Sequence, residues 1–149
     1  GTSGATLYIT GVQLEVGSTA TEFEHRPWHI EKYLCERYCQ TTYPYGIAPG
    51  SNIGFGGIVG RTGLSGVTTT GETYQSTQFK QQMRSSPIIS IYDIQGNAGK
   101  VTGTQYLVAD YSNITASVGH SSANGFGVTQ NGGGTFGDIS YHYLVTAEL

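Results

Sequence analysis

The segment Ile139-Ser140-Tyr141-His142-Tyr143-Leu144-Val145-Thr146-Ala147 decides how this chain is read. Ile139, Tyr141, Tyr143, Val145 and Ala147 recur at every second position. Ser140, His142 and Thr146 fill the gaps, and only Leu144 breaks the polar set. A period of two is that of a β-strand with one face on a core and one in water. The same pattern recurs upstream. Phe126 alternates with Val128, and Ile114, Ala116 and Val118 alternate cleanly. Residues 67–70 and 78–83 read as half-exposed strands, and residues 100–110 carry Val101, Tyr106, Leu107 and Val108. Pro87-Ile88-Ile89-Ser90-Ile91-Tyr92 is apolar on both faces, which predicts a central strand. Gly96-Asn97-Ala98-Gly99 predicts a hairpin tip, and the glycine-rich run 119–137 predicts a strand pair with its loops. Short strands between Gly-rich turns predict an all-β chain, an antiparallel sandwich or barrel, taken here as a jelly-roll-like β-sandwich over residues 45–149.

The N-terminal third reads differently. Leu7 and Ile9 share one strand phase, and Val12, Leu14 and Val16 share the other. The slip at Gly11 predicts a bulge. A chain that opens inside a strand is expected to be cut from a longer protein, with residues 1–24 as a terminal strand and linker from an upstream stem or β domain. The alternative is that this strand joins the sheet that follows. After a polar connector, Pro27 predicts the start of a helix running to about Gln40, within a linker of residues 25–44. Ile30, Leu34 and Tyr38 recur every four residues, flanked by Tyr33 and Cys35, and Lys32 can pair with Glu36 one turn on. About fourteen residues is marginal for a lone helix, so its apolar stripe must dock on the β domain or on copies of itself.

Composition removes several functions. Charged residues make up 11% of the chain against roughly 25% in an average domain, and the net charge is -3. The few Lys and Arg are scattered, so no basic patch for a nucleic acid exists. No stretch approaches the ~18 apolar residues of a membrane span, so no membrane insertion is expected. Cys35 and Cys39, one turn apart on a regular helix, would not meet disulfide geometry. They read as reduced apolar side chains, compatible with folding in a cytoplasm. With His25 and His29 they make a conceivable metal set, but no metal or cofactor is expected. Gly125-Phe126-Gly127 neither opens a helix nor precedes a P-loop lysine, and no Gly-x-Ser-x-Gly occurs. The carboxylates of the β part are Glu72, Asp93, Asp110, Asp138 and Glu148. Asp93 and Asp110 read as turn or edge residues, so the expectation is a protein without catalytic activity. His142 falls on the polar face of the last strand, where an ordinary exposed or hydrogen-bonded role is expected. The alternative is a meeting with its own copies around a threefold axis. Asn113-Ile114-Thr115 reads as a chance match to the glycosylation sequon.

What remains is a charge-poor β scaffold rich in Tyr, Asn, Ser and Gly. Aromatic faces stack on the apolar faces of sugars, and amides and hydroxyls match sugar hydroxyls. The candidate ligand-binding residues are Tyr74, Tyr111, His120, Asn124, Phe126 and Asn131. The alternation of Phe126 with Val128 fits a core position equally well.

Four segments carry a resemblance. Tyr8-Ile9-Thr10-Gly11-Val12-Gln13-Leu14-Glu15-Val16-Gly17-Ser18-Thr19-Ala20-Thr21-Glu22-Phe23-Glu24-His25-Arg26 resembles a segment of bacteriophage tail fibre and tailspike proteins, found towards their C-termini. Tyr33-Leu34-Cys35-Glu36-Arg37-Tyr38-Cys39-Gln40 is similar to the stretch that follows it there. Phe79-Lys80-Gln81-Gln82-Met83-Arg84-Ser85-Ser86-Pro87 and the closing Ala147-Glu148-Leu149 resemble two further marks of the family. Trp28-His29-Ile30 and Cys39 depart from its usual pattern. The resemblance implies a homotrimer carried on the virion, whose first segment closes an upstream β-sandwich and whose C-terminal β domain touches the host surface. With the composition and the reduced cysteines, the expectation is a domain folded in the host cytoplasm that binds a host cell-surface glycan. It transfers no catalytic residue. The rival expectations are a purely structural trimerisation cap and a polysaccharide-degrading or esterase module.

Overall fold

Strand-forming residues in this chain pair both in local hairpins and across long sequence separations. The computed structural model describes residues 4, 6, 8–57, 73–105, 109–130 and 138–148, and of residues 73, 74, 104, 105 and 109–111 the backbone alone. Asn131, Glu72, Leu7, Leu149, the strand expected over 67–70, residues 106–108 and most glycines of the 119–137 run lie outside the described residues.

Among the described residues one helix, α1 (Trp28–Glu36), precedes eight strands. These are β1 (Cys39–Thr41), β2 (Thr73–Gln78), β3 (Ile88–Tyr92), β4 (Lys100–Gln105), β5 (Ala109–Ser122), β6 (Gly125–Gln130), β7 (Asp138–Ser140) and β8 (His142–Thr146). They form two antiparallel sheets, β1-β8-β3 and β2-β6-β5-β4-β7. Among the described residues the chain is therefore all-β apart from one short helix. Met83, Ile91, Val101, Phe126, Val128, Ile139, Tyr141, Tyr143, Val145 and Ala147 make one buried cluster drawn from both sheets. Phe126 meets Tyr143 edge-on at 5.5 Å between ring centroids, and Phe79 lies 5.7 Å from Phe126.

The closing segment is not one strand. Its first part, β7, pairs with β4, and its second, β8, lies between β1 and β3. The chain changes sheet at Tyr141, whose hydroxyl is bonded to Thr77 of β2. Because it serves two sheets, its first polar positions are covered: Ser140 and His142 are as buried as Ile139 and Tyr143. The open face read from the alternation begins only at Leu144, where half-buried Leu144 and Thr146 and exposed Glu148 alternate with buried Val145 and Ala147. The central position expected for β3 belongs to β8. β3 is an outer strand and leaves Ile88 64% exposed. Residues 79–83 are not a strand. After β2 the chain wraps the β5–β6 turn, with Phe79 N–H donating to the Asn124 carbonyl and Met83 N–H to that of Ala123.

The helix is shorter than its periodicity suggested. Pro27 precedes it, and its carbonyl accepts from Ile30 and Glu31 N–H at 2.9 and 3.2 Å. After Glu36 the backbone is taken over by distant partners. The Arg37 carbonyl accepts from Arg84 N–H and the Tyr38 carbonyl from Ala147 N–H, both at 2.8 Å. Cys39 and Gln40 thereby become strand β1, and Cys39–Thr41 together with Tyr43 belongs to the β body rather than to a helical linker. No residue of α1 is buried. The stripe that was expected to dock leaves Ile30 41% and Tyr33 49% exposed. The arm 8–27 forms no strand either, and Leu14 and Val16 are fully open to water.

The expected turn at 96–99 is present, organised by Asp93. This carboxylate is fully buried and accepts from Gln95 N–H, Asn97 N–H, the Asn97 side-chain amide and Asn113 N–H, at 2.7–2.9 Å. Asn113 sits at φ 65°, at a bulge where β5 slips against β4. Gly96 has φ 92°, and a Cβ there would stand 2.1 Å from the Gly50 carbonyl oxygen, so only glycine fits. By contrast, the buried Tyr43 hydroxyl makes no hydrogen bond; the Gly50 backbone approaches it without reaching bonding geometry. Two opposite outcomes are expected in denaturant melts. Asp93→Ala removes the four hydrogen bonds to a buried carboxylate that hold the turn and should lower stability by about 3 kcal/mol. Tyr43→Phe removes an unpaired hydroxyl and should leave stability unchanged or raise it by up to about 1 kcal/mol.

Candidate functional site

Of the residues proposed for ligand binding, Tyr74, Tyr111 and His120 take separate register positions in the large sheet, and Asn131 lies outside the described residues. Tyr111 lies opposite Gly103 near the start of β5, whereas His120 lies near its end. Nine residues of extended chain separate these two by roughly 30 Å. Tyr74 is on the outer strand β2, opposite Thr129. His120 and Asn124 do come together, at the β5–β6 turn, and both are exposed. His120 has φ 50° at the point where the register slips between Gly119 and Ser122. The Asn124 backbone is occupied there, its N–H donating to Ser122 Oγ and its carbonyl accepting from Phe79. Phe126 is 3% exposed and packed among Phe79, Tyr141 and Tyr143. It is a core residue and presents no face to a ligand, which corrects the reading that placed it on a binding surface.

His142 is likewise internal. Its Nε2 faces the Gly54 carbonyl at 2.9 Å, so that nitrogen carries the proton. Its Nδ1 is 3.3 Å from the Thr42 hydroxyl, which itself accepts from Tyr143 N–H. The Tyr43 ring covers it at 4.9 Å. A histidine held on both nitrogens inside one chain is not available to meet its copies around an axis. The Asp93 carboxylate is consumed by its four donors and closed to a substrate. Among the described residues no three His, Cys, Asp or Glu side chains converge as a metal would require, and the set Cys35, Cys39, His25 and His29 is not brought together.

Sequence reasoning missed a different feature. A groove of about 660 Å³ runs between α1 and the chain that follows β1, lined by Trp28, Glu31, Lys32, Cys35, Glu36, Cys39, Gln40, Thr41, Tyr43, Tyr45 and Lys80. Its floor is fixed by Gln40. That side-chain amide donates to the Glu36 and Gln81 carbonyls at 2.8 and 2.7 Å, and its oxygen accepts from Lys80 N–H at 2.9 Å. Thr41 is tied by its hydroxyl to the Tyr143 carbonyl at 2.9 Å. Above this floor Trp28 is 77% exposed and Tyr45 fully exposed. The sequence signal for it was an aromatic residue at each end of the segment 28–45, where helix periodicity assigns no role to Trp28.

The arm carries a second ordered feature. Glu15 accepts from the Thr21 hydroxyl and the Thr21 N–H, both at 2.6 Å, and from the Gln13 amide. Gln13 in turn accepts from Glu24 N–H at 2.8 Å. The Thr21 hydroxyl, then its amide, then Gln13 hold the Glu15 carboxyl below the usual range. Arg26 does the same for Glu24 from 2.7 Å. A loop closed by side chains leaves the backbone of residues 8–16 outside any sheet.

Comparison with protein-family models, curated proteins and solved structures returned no match. Cys35 and Cys39 are both free thiols on the groove. Burial first, and the neighbouring Cys35 second, push the Cys39 thiol above its ordinary range. Less of it is thiolate at a given pH, so its alkylation by iodoacetamide should rise at a higher pH than that of an ordinary free cysteine. Peptide mass mapping across a pH series reads this out.

Proposed function

We propose that this chain is the C-terminal region of a bacteriophage tail fibre or tailspike, borne on the virion and folded in the host cytoplasm. In this reading it binds a host cell-surface glycan and supports trimer assembly. The two sheets are then the layers of a jelly-roll-like β-sandwich, with both contributing to one core.

One observation carries the reading. Of the segments in which the chain resembles that family, three interlock in space although they lie far apart in sequence. Gln40 bonds Lys80 and Gln81 and touches the Met83 sulfur; the Arg37 carbonyl takes the Arg84 N–H; the Tyr38 carbonyl takes the Ala147 N–H. Arg84 also lies over the Tyr38 ring, 5.6 Å from its centroid. In the fourth segment Gln13, Glu15, Thr21 and Glu24 bond one another. The shared residues thus support a common structural unit rather than a chance of composition.

The exposed arm and the bare face of α1 favour a structural contribution as well. Val12, Leu14, Val16, Ile30 and Tyr33 all face water in the isolated chain. Apolar surface of this extent is normally covered by a partner. The polysaccharide-degrading alternative is weakened where Asp93 is concerned, since that carboxylate is committed to its turn.

Light scattering of the purified protein is expected to give about three times the 15.9 kDa chain mass. The protein should also compete with phage particles for adsorption to host cells. A stable monomer that neither competes nor binds host envelope would overturn the proposal.

A further inference from the structure

We infer that the groove between α1 and the chain following β1 binds a neutral oligosaccharide, with Trp28 and Tyr45 as its stacking platforms. The inference rests on the receptor-binding reading and names the site at which that binding takes place.

Three observations bear on it. The first is where the chain leaves aromatic surface open. Tyr43, Phe126, Tyr141 and Tyr143 are buried; of the exposed aromatics, which include Tyr8 on the arm, Trp28 and Tyr45 line one groove together. An aromatic ring presented this way is a platform for the apolar face of a sugar ring. The second is that the floor is already ordered. Gln40 has both ends of its amide engaged and the Thr41 hydroxyl is tied down, so little of the protein needs to be fixed on binding.

The third is charge. Glu31, Lys32, Glu36 and Lys80 supply equal numbers of opposite charges, and Lys32 and Glu36 pair at 3.7 Å. No net field draws a polyanion, while carboxylates and ammoniums at the rim offer acceptors and donors to hydroxyls. A volume of about 660 Å³ lies within the ~300–1,000 Å³ span of ligand sites. A purely apolar occupant would cover the Lys32–Glu36 and Arg26–Glu31 pairs without offering them any hydrogen bond in place of water, which disfavours it.

The groove carries its own reporters. Trp28 is the one tryptophan of the chain, and Cys35 and Cys39 are its two cysteines. The purified full chain, with Trp28→Ala and Tyr45→Ala variants, is applied to an array of neutral and acidic oligosaccharides. Trp28 emission and iodoacetamide labelling of the two thiols are then followed during titration with the array's binders. Saturable binding of a neutral oligosaccharide is expected, with a shift in Trp28 emission and slower labelling of both cysteines. Each variant should bind roughly tenfold or more weakly. Because both side chains are exposed, thermal midpoints should match the parent.

Equal binding by the variants, with emission and labelling unmoved, would overturn the groove assignment and leave the receptor reading intact. Selective binding of acidic oligosaccharides would overturn the neutral class. Emission already shielded from iodide quenching in the ligand-free protein would assign the groove to a second copy of the chain instead. Absence of binding to every glycan would overturn the glycan-receptor reading itself.

Discussion

The side-chain amide of Gln40 holds the junction on which the rest of the molecule is built. It reaches the last turn of α1 through the Glu36 carbonyl and the 79–83 segment through Gln81 and Lys80. A buried amide with both ends satisfied contributes direction as well as stability, because any other arrangement leaves polar atoms unpaired in the interior. Three consequences follow from that geometry. The helix ends at Glu36, the next residues run as β1 beside β8, and the space between helix and strand stays open as a groove. Backbone bonds from Arg37 and Tyr38 to Arg84 and Ala147 repeat the same constraint on either side.

A second polar centre stabilises the other end of the small sheet. The Asp93 carboxylate ties the 93–99 turn to β5, and His142 ties β8 to Thr42 and Gly54. These groups are ones that chemistry alone would put on a list of catalytic candidates. Their hydrogen-bond partners are all internal, so their work is to hold loops against strands. Among the described residues the surface carries exposed aromatics, amides, hydroxyls and paired charges. That inventory suits recognition, in keeping with the proposed role at a phage tail tip. The side-chain-closed arm and the bare helix face supply the apolar surface for the assembly in that proposal.

The pattern of twos and glycines was enough to read an antiparallel all-β chain with one short helix. It also marked Val101, Phe126, Val128, Ile139, Tyr141, Tyr143 and Val145 at strand positions that prove to be core. Alternation and turn chemistry are local, and local signals survive in any tertiary setting. The turn at 96–99 was legible for the same reason. The end of α1, the outer place of β3 and the burial of His142 were not. Each depends on which distant segment supplies a hydrogen-bond partner, and nothing within ten residues of Arg37, Ile88 or His142 records that choice. The groove was hidden for a related reason: Trp28 and Tyr45 lie seventeen residues apart and become neighbours of one groove through the chain reversal that Gln40 anchors. Period and composition state which residues prefer strand or turn, whereas sheet order, helix length and the walls of a site follow from long-range pairing free energies that no single segment contains.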